Sequence, residues 1–133
     1  MGIEALSVVF AAVLVWLSAL VQNLSNASER GHKYVMSDRS VSPPLQGFFG
    51  RATRTLANSI ESGLMWVPPV VVILMLHRTN WIAQLSAEAY IGVRASSLRF
   101  PTGSKIPVVR SLAWLVGTVC CGAVAVLAVA PLT

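Results

Sequence analysis

Charge is what this sequence has least of. Only 11% of its 133 residues are charged, and only five are acidic. Soluble domains carry about 25% charged residues, so an ordinary soluble domain is excluded. Cysteine is nearly absent too. The two present, Cys120 and Cys121, are adjacent within an apolar run. Neighbouring positions on a helix point to different sides, which argues against a mutual disulfide. Such cysteines read as small packing residues. His32 and His77 are far apart, and no metal-ligand spacing surrounds the cysteines, so no metal site is expected. The net charge of +5 comes without a basic, aromatic-interleaved surface segment, so no nucleic-acid partner is expected.

Apolar residues are abundant: 55% of the chain is hydrophobic and mean hydropathy is +0.69. The pattern predicts an all-α integral membrane protein, with residues 1–133 forming one four-helix transmembrane domain. The first helix is expected over 5–24. Twenty residues rise about 30 Å, enough to cross the hydrocarbon. A signal peptide fits less well. The run is long for one, and only Glu4 stands where a basic region would precede it. Residues 25–50 read as a polar loop with Pro43-Pro44. The second helix is expected over 51–77, with Pro68-Pro69 inside it. A tight turn at 78–80 leads to a third helix over 81–99. A loop over 100–107 leads to a fourth over 108–130, rich in the small residues that let helices approach closely.

The second helix opens with RATRTLANSIE. Arg51, Arg54, Asn58 and Glu61 are spaced to share one helix face. The plain alternative is a snorkelling helix end. Glu61 speaks against it, because a carboxylate a turn past Asn58 gains nothing from snorkelling. On the third helix Tyr90, Arg94 and Ser97 share one face, while Glu88, Gly92, Ala95 and Arg99 share another. A helix charged on two faces cannot lie open to lipid.

Nine of the ten Lys and Arg residues flank the first and third loops, and Arg78 alone flanks the second. Such a bias places those two loops in the cytoplasm and both termini away from it. Arg51, Arg54, Asn58, Glu61, Tyr90, Arg94, Arg99 and Arg110 can then converge at the cytoplasmic end. Guanidiniums bind carboxylates and a carboxylate holds an ammonium, so the cluster suits a small anion that also carries an amine.

These residues resemble the MAPEG family, the membrane-associated proteins of eicosanoid and glutathione metabolism, in a bacterial-type form. The likeness lies in R-x-x-x-N-x-x-E (Arg54, Asn58, Glu61), in Tyr90, Arg94 and Arg99, and in the R-S-L-A-W run from Arg110 to Trp114. The sequence departs from the common family pattern at Leu64, where a proline is usual, and at Ser96, Ser97 and Phe100, near which bacterial members often carry tyrosines. The resemblance implies a homotrimer with glutathione bound between subunits at the cytoplasmic end. It implies glutathione contacts from Arg54, Asn58, Glu61 and Tyr90, and stabilisation of a thiolate by Arg99 or Arg110. Arg51 and Arg94 complete the expected binding set.

Two functions follow as expectations. One is a glutathione transferase or peroxidase acting on lipophilic electrophiles, in the inner membrane of the cell. The other is a non-catalytic membrane protein whose polar stripe serves assembly or ligand binding. A small-molecule transporter is a third, lesser reading.

Overall fold

The structure, a computed structural model, describes residues 2–31, 33, 36, 47–97 and 107–131. Within them the chain forms four helices, α1 (Ile3–Arg30), α2 (Gly47–Met75), α3 (Trp81–Ser97) and α4 (Pro107–Val129). The expected all-α membrane bundle is therefore present. Three helices are long and apolar enough to cross a membrane: α1, α2 and the part of α4 from Ser111 to Val129. With 17 residues, α3 is shorter and carries Glu88 and Arg94.

The helices pack as a ring. α1 lies beside α2 and α3, and α4 also lies beside α2 and α3. α2 and α3 therefore face each other across the bundle. They meet through Trp66 and Tyr90, whose rings stack at 4.3 Å with planes 5° apart. Both side chains are buried, with Val70, Ile73, Ala87 and Val124 around them. Cys120 and Cys121 are buried free thiols in this core, as expected of packing residues. Two glycines lie at helix contacts, Gly63 facing the Val15 side chain and Gly117 facing the Val93 side chain.

The reversal between α2 and α3 is built from polar groups. At the end holding Ile3 and Val129, α2 closes on His77, which has φ 52°. The His77 N–H donates to the Leu74 carbonyl at 3.2 Å, and the Arg78 N–H donates to Ile73 at 3.0 Å. These bonds satisfy carbonyls that the helix end leaves open, in the pattern of a Schellman cap. Asn80 then caps α3, its Oδ1 accepting the Ala83 N–H at 2.9 Å. Arg78 donates to the carbonyls of Leu127, Ala128 and Ala130. The sole Lys or Arg beside the second loop thus caps the end of α4, where a cation also meets the negative pole of the helix.

At the opposite end two helices outrun the expected bounds. α1 continues to Arg30 and α2 begins at Gly47. Tertiary packing explains both. Ser25 and Asn26 are buried, as are Phe49, Gly50 and Ala52. Glu29 accepts the Phe49 N–H at 3.3 Å, and the Arg30 guanidinium lies 4.2 Å from the Phe49 ring centre. A carboxylate at the start of α2 also favours its positive pole. The expected loop over 100–107 lies outside the described residues apart from Pro107, which opens α4.

Candidate functional site

The start of α2 carries two unlike faces. Its outward face presents Arg51, Arg54, Asn58 and Glu61, all exposed on the subunit. The predicted sharing of one face is realised. Among the described residues, Arg54, Asn58 and Glu61 have no hydrogen-bond or ion-pair partner. Arg51 lies near Phe48, its guanidinium 5.8 Å from the ring centre.

The inward face of the same turns is fully engaged. Ser59 and Ser62 lie one residue beyond Asn58 and Glu61, which turns them about 100° away on the helix. Ser59 Oγ donates to the Thr55 carbonyl at 2.8 Å. Its single hydrogen is then used, so Ser18 of α1 is the donor across the 3.3 Å gap to Ser59. Arg94 Nη2 of α3 donates to the same Ser59 oxygen at 3.0 Å. One turn on, Ser62 Oγ donates to the Tyr90 hydroxyl at 3.0 Å. Trp66 Nε1 donates to Ser7 Oγ of α1 at 2.9 Å, and Ser7 donates onward to the Glu4 carbonyl. Indole N–H groups need such an acceptor when buried.

These contacts also fix depth. Ser59 is level with Ser18, which lies within the apolar stretch over 5–24. Glu61 is two residues further on, about 3 Å deeper by helical rise. An exposed carboxylate there stands at the level of lipid chains, where a charge costs several kcal/mol unless covered. Glu88 of α3 is exposed at a similar depth, two residues from Tyr90. Its face, with Gly92 and Ala95, points away from the bundle. The two charged faces expected on α3 therefore divide: Tyr90 and Arg94 turn inward and Glu88 turns outward.

The expected site residues fall into three groups. Arg51, Arg54, Asn58 and Glu61 stand together on the outside of α2. Tyr90 is only 1% exposed and lies in the core, with half-buried Arg94 one turn along. Arg99 lies outside the described residues; Arg110 is in the first turn of α4, and its side chain also lies outside them. Sequence reasoning did not single out Ser7, Ser18, Ser59, Ser62 or Trp66. The available signal was the spacing of Ser59, Ser62 and Trp66, which puts hydroxyl and indole groups on one face of a helix that must bury them.

The fold and the outward stripe define a class: a four-helix membrane protein with an exposed charged face on its second helix. The MAPEG family model matches residues 3–130, and the chain belongs to the MAPEG family. No curated protein and no solved structure matches it.

Proposed function

We propose that the chain binds glutathione on the outward face of α2 and uses it in a transferase or peroxidase reaction on lipophilic electrophiles. The observation that carries this reading is the exposed set of Arg54, Asn58 and Glu61, without partners among the described residues and with Glu61 at the depth of the apolar stretch. Two guanidiniums, counting Arg51, suit the carboxylates of a zwitterionic peptide. Glu61 suits its ammonium, and Asn58 suits its amides. Family membership supports glutathione as that peptide. Arg99 or Arg110 is the cation for the thiol. A thiol with an ordinary pKa near 8.5 is mostly protonated at neutral pH, and a neighbouring cation favours the thiolate. The surrounding apolar helix faces gather lipid-soluble substrate from the bilayer.

In this reading the protein is a homotrimer in the inner membrane, with its termini away from the cytoplasm and glutathione held between subunits. Two exposed carboxylates at lipid depth, Glu61 and Glu88, support an assembly that covers them. The same observation favours a second reading, in which the stripe serves assembly alone. Calorimetry with glutathione on protein purified in mild detergent, beside mass measurement of the same sample, tests both. The first reading expects a trimer that binds glutathione. A trimer without binding supports assembly alone, and a monomer without binding overturns both readings.

A further inference from the structure

We propose that Tyr90 is a positioning residue, which acts through Ser62 to aim Asn58 and Glu61 outward and does not touch the ligand. The binding arm of this inference rests on the proposed glutathione reading; its structural arm does not.

The geometry comes from two matched pairs on one turn of α2. Asn58 and Glu61 are three residues apart and exposed. Ser59 and Ser62 are three residues apart and turned toward α3. On α3, Tyr90 and Arg94 are four residues apart on one face. Tyr90 accepts from Ser62 at 3.0 Å and Arg94 donates to Ser59 at 3.0 Å. α3 therefore grips the inner half of the turn whose outer half carries the site.

A helix held at one point still rotates about its axis and slides along it. Two hydrogen bonds from one helix, a turn apart, oppose both motions. The stack on Trp66 fixes the Tyr90 ring in turn, and the Trp66 bond to Ser7 ties this unit to α1. Tyr90 is 1% exposed with its hydroxyl engaged, so a ligand on the outer face of α2 cannot reach it. Rotation of α2 by one residue, 100°, would replace Asn58 and Glu61 on the outer face with Ser59 and Ser62.

The test combines two substitutions with two readouts. Tyr90→Phe removes the acceptor and keeps the ring that stacks on Trp66. Ser62→Ala removes the donor, and Ser62→Thr keeps it. The readouts are glutathione affinity by calorimetry and the mobility of a spin label at Ala57→Cys, on the outer face one turn before Glu61. The label is placed in a background with Cys120→Ala and Cys121→Ala. Tyr90→Phe and Ser62→Ala are each expected to mobilise the label and to weaken glutathione binding about fivefold. The double variant is expected to be no weaker than either single one, because both break the same bond. Ser62→Thr is expected to match the parent. The inference is overturned if the label is unmoved by Tyr90→Phe, or if Tyr90→Phe weakens binding further in the Ser62→Ala background. If the parent binds no glutathione, the functional reading fails, and the spin label alone decides whether Tyr90 holds α2.

Discussion

The inner and outer faces of α2 between Asn58 and Trp66 have similar polarity and opposite fates. Inside, Ser59, Ser62 and Trp66 each have a named partner on another helix. Outside, Asn58 and Glu61 have none among the described residues. A polar group at membrane depth is expensive wherever it has no partner. The inner face meets that demand within the subunit, so its polar groups specify the fold. The outer face leaves the demand to something beyond the subunit, so its groups specify what that partner is.

Breaking the inner face should give the largest effect. Trp66 is fully buried, stacks on Tyr90 and donates to Ser7. Trp66→Ala removes the ring and leaves the Ser7 hydroxyl without its donor. The expected loss is about 3–5 kcal/mol, read as earlier unfolding when a denaturing detergent is titrated into the purified protein. Trp66→Phe keeps the ring volume better and loses the N–H, so it should cost less. Equal losses for the two would show that the bond, and not the packing, carries the inner face.

Breaking the outer face should leave the fold alone. Glu61 is exposed and has no partner among the described residues, so Glu61→Gln should keep shape and remove charge without cost to the bundle. If Glu61 serves the ligand, glutathione affinity should fall about tenfold or more, the scale of a charged hydrogen bond, while the trimer persists. If it serves assembly, a buried pair loses its anion, at about 3–5 kcal/mol, and the trimer should dissociate. Calorimetry and mass measurement on this one variant separate the outcomes. A variant that binds and assembles like the parent returns the stripe to a snorkelling helix end.

The same contrast explains what could be read from the residues. The four helices were legible because long apolar runs and proline-bearing breaks have few other solutions in lipid. The outer stripe was legible because Arg51, Arg54, Asn58 and Glu61 recur at helical spacing. The inward turn of Tyr90 and Arg94 was not. A helix with charged groups on two faces does not announce which face meets the bundle, and the choice was made by Ser59, Ser62 and Trp66 on a different helix. Serines are also tolerated on any side of a membrane helix, so their pairing across the bundle leaves no trace in one sequence. The extension of α1 to Arg30 was hidden for a similar reason. Ser25, Asn26 and Glu29 look like loop residues, yet the first two are buried and Glu29 accepts the Phe49 N–H at the start of α2.

The smallest expected effect sharpens the comparison by touching neither face. His77 sits at the far end of α2, exposed, with φ 52°. Side chains with a Cβ pay roughly 1–2 kcal/mol for this left-handed backbone, whereas glycine adopts it freely. The position is forced by the two bonds that close the helix on Leu74 and Ile73, and these involve only backbone atoms. His77→Gly should therefore keep both bonds and stabilise the protein by about 1 kcal/mol, read as a higher unfolding midpoint in detergent. His77→Ala keeps a Cβ and should gain little. Neither variant should alter glutathione affinity or oligomeric state, because the turn lies more than ten residues from Glu61 along α2. A loss of binding in His77→Gly would mean that strain at the end of the helix is transmitted to its outer face, and that the two faces are less independent than their contacts indicate.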